Sequence, residues 1–350
     1  MGTSKGTYLA KNIGLLTVSQ FGTKLLSFFL VPLYTNILTT SEYGTYDLLN
    51  TTVSLLIPIL TLNISESVMR FALDQNADQR AIFSIGCRFL IFSNIILIAM
   101  VIVNHIFGII PMVDEYSIYF VLLFFVQSTV GIMTSFVRGI DRIADLSVSG
   151  VVCSFSIIVL NILFLCVWRM GIDGYFLANI LGTFAQVMYL FFRTHAWRYW
   201  TFTTADLAEK KKMIQYCVPL IANSTAWWVN SVSDRYVVTW FCGVEVNGIY
   251  SVASKIPSIL NIVQSIFNQA WTLSAVKDFD SKDESGFFSN LYNSYNALMV
   301  LSCSGLIVIN RFLASILYAK DFYSAWQYVP FLMIAIVFGA MSGYIGGIFS

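Results

Sequence analysis

The chain has 350 residues, 57% hydrophobic and only 11% charged, with a net charge of +1 and a mean hydropathy of +0.73. A soluble domain carries about 25% charged residues, so this composition excludes an ordinary water-soluble fold and leaves lipid as the solvent for most of the surface. The near-neutral charge gives no reason to expect a nucleic-acid partner. The six cysteines form no Cys-x-x-Cys or Cys/His cluster, so no metal, redox group or other cofactor is expected.

Crossing ~30 Å of hydrocarbon takes ~20 residues of helix, and apolar runs of that length recur between short polar turns. They predict helices over Ile13–Leu38, Gly44–Met69, Arg88–Pro111, Tyr116–Val137, Leu146–Trp168, Gly174–Phe192, Met213–Phe241, Gly248–Val276, Phe287–Tyr318 and Trp326–Ser350. The first run is too long for the apolar core of a signal peptide and has no A-x-A site after it, so it reads as a membrane span. The basic residues set the orientation. With the amino terminus in the cytoplasm, Lys5, Lys11, Arg70, Arg80, Arg88, Arg138, Arg142, Arg193, Arg198, Lys210, Lys211, Lys212, Lys277 and Lys282 all fall inside. Only Arg169, Arg311 and Lys320 fall outside.

The longest hydrophilic stretch, Thr194 to Lys212, separates six predicted helices from four, and its basic character suits anionic lipid headgroups or a link between lobes. Gly44-Thr45-Tyr46 follows Glu42 at the start of helix 2, and Gly248-Ile249-Tyr250 follows Glu245 at the start of helix 8, an internal repeat of the kind transporters are built from. The expected organisation is an N-terminal six-helix lobe over 1–199, a cytoplasmic linker over 200–212 and a C-terminal lobe over 213–350. Four helices of that second lobe are present, and it reads as incomplete. Gly339, Gly343 and Gly347 have the spacing of a close helix-packing motif.

Polar side chains are costly in lipid and concentrate in predicted helices 1, 2, 7 and 8, the first two of each half. Gln20 and Lys24 lie in a stripe with Thr17 and Ser27. Asp47, Thr51, Ser54, Thr61 and Ser65 mark helix 2. Asn223, Asn230 and Asp234 mark helix 7, with Ser224, Ser231 and Arg235 alongside. Asn261 belongs to a Ser/Asn stripe on helix 8, beside Lys255. Steps of three and four keep each set on one face, so the four stripes are read as the lining of a cavity; hydrogen bonding between helices is the other reading. Lys24, Arg235 and Lys255 are the cations inside spans and would make that cavity attractive to anions, with local pairing, for example of Asp234 with Lys255, as the other reading. Asp47, Glu66 and Asp234 are candidates for proton or sodium coupling, with interfacial pairing as the alternative for Asp47 and Glu66. His105 and His195 read as interfacial. Pro58, Pro219 and Pro257 are expected to kink their helices.

Leu9-Ala-Lys-Asn-Ile-Gly14, Phe29-Leu-Val-Pro-Leu-Tyr-Thr-Asn-Ile-Leu38, Ser41-Glu-Tyr-Gly-Thr-Tyr-Asp47, Asp234-Arg-Tyr236 and Val246-Asn-Gly-Ile-Tyr250 together resemble the bacterial polysaccharide-biosynthesis flippases that export O-antigen units. These belong to the multidrug/oligosaccharidyl-lipid/polysaccharide exporter superfamily. The resemblance covers the whole chain. It implies an all-α, polytopic bundle of two pseudo-repeated lobes around a central cationic cavity, with twelve or more helices where this sequence offers about ten. It also implies movement of an undecaprenyl-diphosphate-linked oligosaccharide across the inner membrane.

The expected function is therefore that of a multi-pass flippase of the bacterial inner membrane, not an enzyme, working by alternating access. Lys24, Arg235 and Lys255 would meet the diphosphate or acidic sugars, and Gln20, Asn230 and Asn261 the sugar hydroxyls. Membrane lipids are expected partners, with a polysaccharide polymerase and chain-length machinery further candidates. Two alternatives stand behind it. A cation-coupled multidrug exporter of the same fold would need deep acids, and a glycan polymerase or glycosyltransferase would need a catalytic acid or base at an accessible surface.

Overall fold

The computed structural model describes residues 28–74, 77–201, 207–265, 267 and 287–349. Its elements, in chain order, are α1 (Val31–Ile37), α2 (Thr40–Leu60), α3 (Ile64–Ala72), α4 (Gln79–Phe107), α5 (Pro111–Glu115), α6 (Ser117–Gly139), α7 (Ile143–Asn161), α8 (Gly171–Thr194), α9 (Leu207–Val232), α10 (Asp234–Cys242), α11 (Val244–Ala253), α12 (Phe287–Leu317) and α13 (Val329–Phe349). Residues 258–265 are also helical. Among the described residues, six helices are long and apolar enough to cross a membrane: α4, α6, α7 with its π-helical extension Ile162–Val167, α8, α12 and α13. The bent pair α2 and α3 makes a seventh if it is one span.

Local chemistry explains the boundaries. At the start of α2, the Glu42 carboxylate accepts from the Thr39 backbone N–H at 2.8 Å and the Thr39 hydroxyl oxygen accepts from the Glu42 N–H at 3.2 Å, the reciprocal pairing of a capping box. The expected single helix over Gly44–Met69 is instead two, turning by 59°. Pro58 lies within the last turn of α2, and Leu62 and Asn63 both adopt φ of 52°, so the ladder stops and restarts. Asp78 caps α4 by accepting from the N–H groups of Arg80 and Ala81. Gly108, at φ 60°, closes it, and its N–H reaches the Asn104 carbonyl. Predicted helix 7 is likewise two elements, α9 and α10, parted at Ser233. Predicted helix 8 breaks over residues 254–257, just before and at Pro257.

The chain forms two compact units. Among the described residues, the first comprises Thr45–Val244, and the second comprises residues 28–44 and those from Glu245 on. Two buried clusters hold the first unit. One joins Ile64, Val68, Phe83, Phe136, Leu190, Met213 and Cys217. The other joins Leu49, Val53, Leu97, Phe124, Phe176 and Ile180. Helices α7 and α8 approach so closely that a Cβ on Gly182 would lie 2.3 Å from Ile157 Cγ1, the close contact that glycine permits between membrane helices.

In the second unit, buried Thr35 ties α1 to the end of α12. Its hydroxyl donates to the Leu317 carbonyl at 2.9 Å and accepts from the Ala319 N–H at 3.2 Å. The two repeated motifs meet here. Asn247 Nδ2 donates to the Gly44 carbonyl at 3.2 Å, and a Cβ on Gly248 would lie 2.0 Å from the Thr40 carbonyl oxygen. The packing around Gly347, the third position of the glycine motif expected in α13, lies outside the described residues. A Cβ on Gly339 meets nothing within 4 Å, and one on Gly343 meets only Gln264 Nε2 at 3.8 Å, among the described residues.

Candidate functional site

The polar residues of α2 and α3 face those of α9 and α10 inside the first unit. Steps of seven, four and seven put Cys217, Ser224, Trp228 and Arg235 on one side of the helical path, and Asp47, Thr51 and Ser54 share a face of α2. The two sets meet as a seam. Arg235 Nε lies 2.8 Å from Asp47 Oδ2, with both side chains largely covered at 18% and 15% exposure. The contact is a close charge pair without the alignment of a hydrogen bond. The Tyr236 and Thr52 hydroxyls bond one another. The Trp228 indole N–H is shared between the Thr51 carbonyl at 3.1 Å and Ser54 Oγ at 3.0 Å. At the bend, Asn63 Nδ2 donates to Ser224 Oγ at 3.1 Å, and the Cys217 thiol donates to the Asn63 carbonyl at 3.4 Å. A bent span exposes backbone polar groups that lipid cannot satisfy, and this contact supplies one of them with a partner.

On a second polar face of α9, Asn223 and Asn230 make no such contact among the described residues. Asn223 and Asn230 are exposed, as are Ser231 and, at the start of α10, Asp234. The Asp234 carboxylate accepts from the Arg235 N–H at 2.9 Å. The stripes read from the sequence thus divide between helix-to-helix bonding and an open polar face.

Among the nine predicted site residues, the structure joins Arg235 with Asp47, one taken as an anion ligand and the other as a coupling acid. Spacing alone could not reveal that pair, since 188 residues separate the two. Asn230, Asn261, Asp234 and Glu66 are exposed. Lys255 is half-buried in the break before Pro257, its Nζ 6.0 Å from the centre of the Tyr43 ring in the second unit. Gln20 and Lys24 lie outside the described residues. Of the tryptophans on α9, Trp228 is committed to the seam and Trp227 is 66% exposed. Asn63 was the residue that sequence reasoning passed over. Its signal was an Asn three residues beyond the end of a proline-bearing helix, a residue type that tolerates the left-handed conformation.

Among the described residues no group of His, Cys, Asp and Glu is placed to hold a metal ion. A family model for polysaccharide biosynthesis proteins matches residues 9–276. The chain belongs to the polysaccharide biosynthesis protein family. No curated protein matches it. Solved structures extend the likeness in fold. An inward-facing multidrug resistance MATE family transporter of the MOP superfamily is 13% identical, with TM-score 0.64 over 93% of this chain and 81% of that one. The outward-facing form of such a transporter is 15% identical, with TM-score 0.63 over 97% and 82%. A eukaryotic MATE transporter is 12% identical, with TM-score 0.59 over 99% and 82%. This member of the polysaccharide biosynthesis protein family is therefore an all-α, multi-pass membrane protein with the fold of the MATE transporters.

Proposed function

We propose that the protein is a flippase that carries an undecaprenyl-diphosphate-linked oligosaccharide across the bacterial inner membrane by alternating access. The family match over residues 9–276 is the observation that carries this reading, because it ties a transporter fold to polysaccharide synthesis. In this reading the halves are a lobe over 1–199 and a lobe over 213–350 joined through 200–212, with the amino terminus in the cytoplasm. Lys24 and Lys255 attract the diphosphate or acidic sugars. Gln20, Asn230 and Asn261 hydrogen-bond sugar hydroxyls, while the polyprenyl tail stays in lipid. Arg235 takes part by exchanging its Asp47 partner for the substrate's anion, which makes Asp47 the residue that keeps the guanidinium neutralised when no cargo is present. Glu66 and Asp234 are the remaining candidates for ion coupling. A polysaccharide polymerase and chain-length machinery would consume the delivered unit.

The test is translocation of a lipid-linked oligosaccharide into proteoliposomes, with Lys24→Ala beside the unaltered protein. The expected result is at least a tenfold slower rate for the variant. An unchanged rate would remove Lys24 from the path.

The similarity to multidrug resistance transporters favours a second reading, a cation-coupled drug exporter. Such an exporter needs deep acids available to cations, and Asp47 is already held by Arg235. Drug efflux from the same proteoliposomes without glycan movement would reverse the order.

A further inference from the structure

The ends of α4 and α8 enclose a cleft of ≈ 310 Å³ lined by Arg80, Thr194, His195, Arg198 and Tyr199. That volume is near the lower limit of ~300 Å³ for small-molecule sites. It lies wholly within the first unit. Arg80 stands in the first turn of α4 and Thr194 ends α8. Both helices are long and apolar enough to span, so the cleft sits where the hydrocarbon gives way to headgroups.

The wall of the cleft is fixed by the fold. After α8 the chain turns at His195, φ 55°, makes a 3₁₀ turn over Ala196–Arg198 and returns to α4. Ala196 is fully buried, and the Tyr199 ring packs on Phe136 with centroids 5.0 Å apart. Ser84 clasps the return, donating from its hydroxyl to the Tyr199 carbonyl at 3.2 Å and accepting from the Thr201 N–H at 2.9 Å. Trp197, 44% exposed and with its ring against His195, brings the aromatic character typical of a membrane interface.

Neighbouring arginines show what is unusual about this place. Arg142 and Arg193 both hold Asp145, at 2.6 and 2.9 Å, and are neutralised by it. Arg80 and Arg198 make no ion pair among the described residues. The nearby acid Asp78 accepts through Oδ1 from the N–H groups that open α4 and makes no ion pair among the described residues. Two guanidinium groups, an imidazole and a phenol therefore surround one cleft at headgroup depth. We propose that this cleft binds the phosphodiester of an anionic phospholipid, whose glycerol and acyl chains lie along the adjoining apolar spans. A guanidinium donates two parallel N–H bonds to phosphate oxygens in a bidentate fork, and a free phosphate would satisfy the same donors; the position between two spans favours the lipid. The site depends only on the membrane-spanning fold and holds whatever cargo the protein moves.

The experiment uses the full chain in nanodiscs of phosphatidylcholine doped with phosphatidylglycerol, with the bound phosphatidylglycerol read by native mass spectrometry. The unaltered protein is expected to select phosphatidylglycerol over phosphatidylcholine. R80Q/R198Q should weaken that selection roughly thirtyfold, the combined effect of two basic groups near the surface. K211Q/K212Q removes the same charge at the start of α9 and should change it little. Equal loss in K211Q/K212Q would overturn the cleft in favour of diffuse attraction. Displacement of the lipid by equimolar inorganic phosphate would assign the site to free phosphate and overturn the lipid. Should R80Q/R198Q fail to fold, absence of selection by the unaltered protein still overturns the proposal.

Discussion

On α9, Ser224 and Trp228 turn towards α2 and α3 and are bound there, whereas Asn223 and Asn230, on the neighbouring face, remain exposed. Both pairs follow helical spacing on one helix, four residues apart on the first face and seven on the second. What separates the two faces is whether an opposing helix offers a matching set of acceptors and donors. Face one behaves as structure, because each bond removed leaves a polar group without water nearby. Under the proposed function, face two is the one that meets the ligand.

The largest expected effect comes from the ion pair that closes the seam. Arg235→Ala leaves Asp47 charged and covered, and should lower stability by about 3 kcal/mol. The measurement is chemical or thermal unfolding in detergent. The double variant D47N/R235Q should regain most of that loss, and a double variant as unstable as the two single changes added together would show that the charges are not coupled. Next comes the bend. Asn63→Ala removes the bond to Ser224 and places an alanine at φ 52°, which together should cost about 2 kcal/mol. Asn63→Gly would separate the two contributions by restoring only the backbone freedom. Trp228→Phe keeps the ring and loses the shared N–H, so about 1 kcal/mol is expected from the same unfolding measurement. The smallest stability effect belongs to the open face. Asn223→Ala and Asn230→Ala should each change stability by less than about 0.5 kcal/mol. Under the proposed function, Asn230→Ala should nevertheless slow oligosaccharide translocation severalfold. If it unfolds the protein as readily as Trp228→Phe does and leaves transport unchanged, the contrast between the faces disappears.

Much of the fold was legible because lipid imposes a coarse rule. Apolar runs placed the long helices α4, α6, α7, α8, α12 and α13 within a few residues of where they lie, apart from an earlier start to α4. The breaks were less legible. Pro58 marked the region of the bend, yet its position depends on Leu62 and Asn63 taking the left-handed conformation, which composition does not announce. The break at Ser233 has no proline at all. At the candidate site, the polar stripes were visible as stripes, while their partners were not. Asp47 and Arg235 are far apart in sequence and were assigned to different tasks, and only the packing of α2 against the α9–α10 path brings them together.

The contact between Gly248 and Thr40 has a consequence for how this fold could be traced through related genes. One side of it is a missing side chain and the other is a main-chain oxygen. Position 248 therefore tolerates almost no replacement, while position 40 supplies the same oxygen with nearly any residue. The constraint is one-sided: a statistical search for paired substitutions would register an invariant glycine and overlook its neighbour, although the two helix starts touch there.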